Sequence, residues 1–156
     1  MDAIKKILVA IYLGVFLPQA FALGDKAQNL TKKTFSVCGK KLNLEVAQKE
    51  SERAMGLMHR EAIPPGTGMI FVFNQPTQLN FWMRNVPFDI DIGYFDSKGR
   101  LLNALTMAGT SPLMKDEALP RYSSKGEALY AVEVVPGFYK TGNLKKCRLS
   151  PLPKGH

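Results

Sequence analysis

The sequence predicts a mainly β domain of the α+β class, in which a compact antiparallel sheet forms a barrel-like or sandwich structure with one or two short helices. Short segments that alternate between apolar and polar residues recur along the chain, as expected for strands with one buried face. Thirteen Gly and ten Pro among 156 residues provide many turns between them. Apolar residues make up 46% and charged residues 22%, which excludes a disordered or collagen-like chain.

The N-terminus has the pattern of a secretory signal peptide. Two lysines precede an apolar run over residues 7–17, a proline breaks that run, and an A-F-A sequence follows at residues 20–22. The run is shorter than the about 20 residues that a membrane-spanning helix needs. We therefore expect residues 1–22 to be removed, the protein to be exported to the periplasm or beyond, and no stable membrane span to remain.

The rest of the chain predicts a single domain with short polar ends. Residues 23–33 are polar and predict a flexible lead-in, residues 34–150 predict one β-rich domain, and the proline-containing residues 151–156 predict a frayed tail. A mature chain of this length fits one domain.

The first part of this domain predicts a β-hairpin and a helix. Residues 34–37 and 42–47 predict two strands around a Gly-Lys turn, and the second strand alternates between apolar and polar side chains. Ser51 is a suitable N-cap for a helix over residues 52–59, whose apolar residues recur at spacings of three and four.

The second part predicts strands separated by turn residues and one longer loop. Residues 74–77, 85–87 and 96–99 contain the Asn, Pro, Asp and Gly typical of turns. A helical turn is predicted after Pro136-Gly137, and a polar loop over residues 108–125. The predicted strands are 69–73, 78–84, 88–95, 101–107, 128–134 and 145–149.

Cys38 and Cys147 predict one disulfide bond. An even number of cysteines in an oxidising compartment favours a structural pair, and the sequence has no C-x-x-C motif that would indicate a redox-active one. The bond would join the first and last structured segments and stabilise the fold by several kcal/mol.

The candidate binding residues lie in one mixed aromatic and polar segment, residues 80–91. If residues 78–84 and 88–95 form strands joined by a short turn, side chains of both strands come together at one rim. An indole, a guanidinium, an amide and a carboxylate in one hollow can bind a polar ligand. The candidate residues are Trp82, Arg84, Asn85 and Asp89, with Arg60 as a further member.

A structural role is the alternative for the same residues. Asp89 then pairs with Arg84 or caps the turn, and Trp82 covers a gap in the packing.

A second alternative is a hydrolase that acts on cell-envelope polymers. Asp89 and Asp91 on one strand face would be about 7 Å apart, a separation that suits an inverting glycosidase. Solvated acids on a strand surface are the simpler interpretation.

A third alternative is a periplasmic protein that handles Cu(I), because the chain has seven methionines and a Met58-His59 pair. However, Met55, Met58, Met69 and Met83 fall on predicted apolar faces, where thioethers fill gaps in a core. The sequence has no Gly-rich phosphate loop, zinc-ligand spacing or EF-hand loop. We therefore expect no cofactor and no bound metal.

The net charge of +8 bears on partners. Export argues against nucleic acid, and the polyanions outside the cytoplasm are cell-wall polymers and lipid head groups. The lysines and arginines are scattered, as on a solvated surface. The expected partner is therefore a polar or anionic cell-envelope component, and the oligomeric state is left open.

Several sequence segments resemble a prokaryotic family known as domain of unknown function 192. The segments, in order, are E-R-A-M-G-L-M-H-R at 52–60, G-M-I-F-V-F at 68–73, F-W-M-R-N at 81–85, P-F-D at 87–89 and Y-S-S at 122–124. The resemblance covers residues 34–149. It implies a compact, mainly β fold that is often exported, and it implies no activity. Val86, where Thr is common, and Asp91, where an apolar residue is usual, depart from the pattern, and the two cysteines are particular to this chain.

Together these observations favour an exported, non-enzymatic binding or accessory domain of the cell envelope.

Overall fold

The computed structural model describes residues 26–154, so the predicted signal peptide lies outside the described residues. These residues form one α-helix, three short 3₁₀ helices and seven strands. The 3₁₀ helices are Asp116–Ala118, Phe138–Lys140 and Leu144–Lys146. The α-helix is α1 (Glu50–Met55), and the strands are β1 (Lys32–Val37), β2 (Lys40–Ala47), β3 (Thr67–Phe81), β4 (Ile90–Phe95), β5 (Leu101–Met107), β6 (Tyr122–Val134) and β7 (Leu149–Ser150).

The strands form one curled, half-barrel sheet in the order β5-β4-β6-β3-β2-β1-β7. Five of its six neighbouring pairs are antiparallel, and the pair β2–β3 is parallel. Parallel neighbours need a crossover connection, and α1 with the turns around it provides this one. The predicted mainly β class is confirmed.

The strand β3 is longer than the sequence predicts. Instead of two strands separated by a turn at residues 74–77, it runs through this segment, with a register shift against β6 between Val72 and Thr77. Residues 74–78 are exposed, and Pro76, which has no N–H to donate, is tolerated in such an irregular stretch. β6 also starts early, at Tyr122, because the buried Ser124 hydroxyl accepts a hydrogen bond from the Leu79 N–H and so continues the pairing.

The predicted hairpin of residues 78–84 and 88–95 is wrong. Residues 82–89 form a loop, and β3 and β4 are not neighbours because β6 lies between them. Both segments contain strand residues with the alternation that was predicted, but each segment pairs with β6 and not with the other. The two segments therefore do not present their side chains as one continuous rim.

The helix α1 ends earlier than predicted, at Met55. Gly56 follows it with a φ of +48°, and its N–H donates to the Glu52 carbonyl. A positive φ together with a ψ of −130° is costly for residues other than glycine, and it ends the helix. The chain then turns over the sheet, so that residues 56–60 cover the sheet face next to β3.

Apolar side chains pack on both faces of the sheet. Leu44, Ile70 and Val132 belong to one cluster, and Phe71 and Ala131 belong to the other. Since side chains alternate along a strand, Glu45 and Glu133 lie on the face of the second cluster. Both acids are buried, with exposures of 4% each.

The disulfide between Cys38 and Cys147 is confirmed. It joins the end of β1 to the segment that precedes β7. The predicted ends of the domain are partly fixed, because the Gln28 side chain donates to the Glu52 and Gly56 carbonyls and the Gln48 side chain donates to the Lys154 carbonyl. Within residues 26–154, no helix has the length and apolar character needed to cross a membrane.

Candidate functional site

Trp82 follows β3 and lies, half-buried, between two arginines. The guanidinium carbon of Arg121 is 4.3 Å from the centroid of the indole ring, and that of Arg84 is 5.8 Å away. Both distances are in the range of cation–π contacts. The structure therefore brings together two of the predicted residues, Trp82 and Arg84, and adds Arg121.

Arg84 forms its ion pair with Asp116, not with Asp89. Its Nη1 atom is 3.2 Å from the Asp116 Oδ2 atom, and both side chains are more than 40% exposed. An exposed pair of this kind contributes little to stability, so Arg84 can leave Asp116 for another anion at small cost.

Asn85 and Asp89 shape the loop between β3 and β4. Asn85 has a φ of +53°, and its carbonyl accepts a hydrogen bond from the His59 N–H at 3.0 Å. The Asp89 Oδ1 atom accepts one from the Gly109 N–H at 2.8 Å. Asp89 therefore links the loop after β3 to the segment after β5, and it neither pairs with Arg84 nor caps the turn at residues 85–87.

Asp91 is buried and already hydrogen-bonded. The Thr106 hydroxyl donates to its Oδ1 atom at 2.7 Å, and the Tyr139 N–H donates to its Oδ2 atom at 3.3 Å. Asp89 lies outside any strand and is exposed. The expected arrangement of both acids on one open strand face is therefore not found.

Arg60 lies in a buried ion pair instead of at the Trp82 rim. Its Nη1 and Nη2 atoms donate to the two carboxylate oxygens of Glu45, each at 2.8 Å, and Nη2 also donates to the Gln28 carbonyl. Burial alone raises the pKa of Glu45, but the hydrogen bonds from Arg60 and the Leu30 N–H outweigh it and leave that pKa below its ordinary value. The Arg60 Nε atom is buried with no hydrogen-bond partner among the described residues.

Two adjoining hollows lie between α1 and the end of β3, next to Trp82. The outer hollow, which we call the basin, has a volume of about 380 Å³. The inner hollow, which we call the recess, has a volume of about 40 Å³. The basin leads to the recess because the same four residues line both: Arg53, Ala54, Phe81 and Trp82.

Aromatic and apolar side chains form most of the walls. Phe81 meets Phe71 edge to face, with ring centroids 4.9 Å apart, and the Arg53 guanidinium carbon lies 5.0 Å from the Phe73 ring centroid. The Arg53 Nη1 atom also donates to the carbonyls of Gln48 and Val72, which holds this side chain in the wall. The remaining apolar residues of the recess are Met55, Leu57, Met58, Met83 and Val86.

Glu133 contributes the one carboxylate in the lining of the recess. Burial raises its pKa from 4.5 to about 8, and the attraction of Arg60 opposes this rise only in part. Hydrogen bonds, which lower the pKa of Glu45, do not contribute at Glu133. A buried acid without such compensation is costly to ionise.

The register of the sheet explains why Glu45 is paired with Arg60 and Glu133 is not. Glu45 of β2 pairs with Met69 of β3, and Met69 pairs with Glu133 of β6, so the two acids are separated by one strand on the same face. Arg60 is committed to Glu45 with two hydrogen bonds. Gly68 allows β6 to come close here, since a β-carbon on it would lie 2.2 Å from the Glu133 carbonyl oxygen.

Two other grooves, of about 350 and 330 Å³, lie along β1 and β2. The lysines that line them are exposed, and neither contains a buried ionisable group. Met69, Met83 and Met107 are buried in the apolar core, as expected for gap-filling thioethers. No group of three or more His, Cys, Asp or Glu within residues 26–154 could hold a metal ion.

Glu133 and Arg121 were not predicted from the sequence. The signal for Glu133 was present, because a single acid stands in the otherwise apolar segment A-V-E-V-V at residues 131–135. Such an acid in a strand that is buried on both faces must be paired or serve a function. Nothing local marks Arg121, which approaches Trp82 only through the fold.

Comparisons with known proteins agree with this architecture. The family model described as DUF192, Uncharacterized ACR, COG1430, matches residues 32–148. A protein of Sinorhizobium meliloti 1021 described as a "putative transcription regulator" is 22% identical, with a TM-score of 0.66 over 80% of this chain and 97% of that one. A protein of unknown function from Novosphingobium aromaticivorans is 26% identical, with a TM-score of 0.65 over 78% of this chain and 86% of that one. No curated protein matches the sequence.

Proposed function

This chain belongs to the uncharacterized family DUF192, and we propose that it is an exported, non-enzymatic binding domain that holds a small polar component of the cell envelope in the basin beside Trp82. The observation that carries this proposal is the position of Glu133, a buried carboxylate at the inner end of the hollow that Trp82 lines.

The free energy that is lost by burying Glu133 supports a functional role for this residue. Taking an acid out of water without a hydrogen-bonding partner destabilises the folded state, and an apolar residue at this point of the core would avoid that loss. Ionisable groups with strongly perturbed pKa values in a cleft are candidates for functional sites. The segments 52–60 and 81–85, on which the resemblance to the family rests, also supply most of the recess wall.

The chemistry of the basin suits a sugar-like or zwitterionic ligand. Trp82, Phe81 and Phe73 offer aromatic surface on which a ring can stack. Arg84, whose ion pair with Asp116 is exposed, can reach an anionic group of the ligand. The net charge of +8 favours approach to anionic envelope surfaces.

The other predicted site residues have positioning roles in this proposal. Arg60 neutralises Glu45 and anchors the segment that follows α1, while Asn85 and Asp89 fix the loop after Trp82. None of the three contacts the ligand directly.

Trp82 is the single tryptophan of the chain, so its fluorescence reports binding at the basin itself. Titration with glucose, glucosamine, N-acetylglucosamine and phosphoethanolamine, at up to millimolar concentrations, should give a saturable emission change with at least one of them. For Trp82→Ala, the affinity measured by calorimetry should fall at least about tenfold. The reason is that stacking of a ring on an aromatic side chain contributes about 1–3 kcal/mol.

Leu144→Ala is the control variant, because Leu144 is an exposed apolar residue of the Leu144–Lys146 turn and does not line the basin. It should bind like the wild type. If none of the four compounds changes the emission, or if both variants lose binding equally, the basin is not the binding site.

A further inference from the structure

The recess differs from the basin in size and in charge. Its volume of about 40 Å³ is roughly a tenth of the 380 Å³ of the basin. The recess therefore admits a smaller part of a ligand than the basin does.

The arginines around the recess each have an oxygen partner, whereas no hydrogen bond contributes to the pKa of Glu133. Arg60 forms two hydrogen bonds with Glu45, Arg84 is paired with Asp116, and Arg53 donates to two backbone carbonyls. Glu133 is attracted to Arg60 and lines the recess together with mainly apolar and aromatic residues. When Glu133 is ionised it therefore requires a hydrogen-bond donor, and a positively charged donor compensates a carboxylate best.

The aromatic walls favour a cation over an anion at the same position. Phe71, Phe81 and Trp82 line the recess, and the faces of aromatic rings attract cations. An anion in the recess would have to compete with the Gln48 and Val72 carbonyls for the Arg53 Nη1 atom and with Asp116 for Arg84.

We propose that the recess is a subsite for a primary ammonium group, with the Glu133 carboxylate as its acceptor, and that the ligand of this domain is a primary amine. The inference rests on the proposed function, since the body of the amine lies in the basin against Trp82. A primary ammonium has about the size of a water molecule and three donors. A trimethylammonium group carries the same charge but has no N–H donor for the carboxylate.

Four matched probes separate the possibilities: benzylamine, benzyl alcohol, benzyltrimethylammonium and benzoate. All four carry the same ring for the basin and differ in the group that reaches the recess. We expect benzylamine to bind at least about tenfold more tightly than the other three, because a hydrogen bond between a charged donor and a carboxylate is stronger than one between neutral groups.

Glu133→Gln should remove this preference and leave benzyl alcohol binding within about twofold of the wild type, since glutamine keeps the shape and removes the charge. Glu127→Gln is the matched control, because Glu127 lies on the same strand and is exposed. The Glu127→Gln variant should prefer benzylamine to the same extent as the wild type.

The outcomes separate the two proposals. The ammonium subsite is overturned, while the basin remains a binding site, by any of four results. Benzyl alcohol or the trimethyl compound binds as tightly as benzylamine, benzoate binds more tightly, or Glu133→Gln keeps the preference for benzylamine. Absence of any Trp82 emission change with all four probes overturns both.

Discussion

Glu133→Gln should be more stable than the wild type at pH 8–9 by several kcal/mol, and close to it at pH 5. The folded-state pKa of Glu133 is raised from 4.5 to about 8, chiefly by burial. Between these two values the folded protein binds a proton that the unfolded chain has released, so stability falls as pH rises through the window and is fully present below it. The loss is up to about 1.4 kcal/mol per pH unit, and glutamine, which does not titrate, removes it.

The other groups with shifted pKa values change stability outside the range between pH 4.5 and 8. The pKa values of Glu45, Glu52 and Asp96 are lowered, so their contributions to stability are lost only in acid, below the ordinary carboxyl range. Tyr94 packs on the same face, and both burial and Glu133 raise its pKa above 10, so it remains neutral.

Urea denaturation at intervals between pH 4.5 and 9 measures this effect as the difference between variant and wild type. Glu127→Gln, with an exposed side chain on the same strand, should give a curve parallel to that of the wild type. A parallel curve for Glu133→Gln as well would mean that Glu133 is ionised in the folded protein as easily as in water.

Replacing both cysteines, Cys38→Ser with Cys147→Ser, should lower the free energy of unfolding by about 4–5 kcal/mol. The two residues are 109 positions apart, and in the chain-entropy model the stabilisation grows with the length of the closed loop. The bond also holds β7 and the segment before it against β1, where the pairing is only two residues long. The loss should therefore be accompanied by early unfolding of this edge of the sheet.

Urea denaturation of the oxidised wild type, the reduced wild type and the double variant measures the loss, and hydrogen exchange locates it. The reduced wild type is the control for the substitutions themselves and should match the variant within about 1 kcal/mol. Unchanged stability after reduction would show that the packing of β1 and β7 holds this edge without the bond.

Local patterns were sufficient for the fold class and for the first strands. The alternation of Leu42, Leu44 and Val46 predicts β2, and these three residues are buried in one cluster. Turn residues were less reliable. Pro76 and its neighbours suggest a turn, but the chain continues as one strand, because an irregular, exposed stretch can accommodate a residue without an N–H.

The candidate site was predicted in part. Trp82 and Arg84 lie together as expected, yet the hairpin that was to unite them with Asp89 does not exist, because the position of β6 between β3 and β4 is a long-range property of the sheet. Glu45 stands at a polar position of an alternating strand and Glu133 in an apolar one, yet both are buried. Their difference depends on Arg60, whose position above β2 follows from the turn after α1 and not from any local pattern.

The most direct test of the account is the titration of Glu133 in the folded protein, followed by carboxyl ¹³C NMR and assigned by the loss of its signal in Glu133→Gln. The account predicts an apparent pKa of about 8 that falls when benzylamine is added to saturation, because the bound ammonium favours the carboxylate. A midpoint near 4.5, unchanged by benzylamine, would contradict both the buried acid and its role in binding.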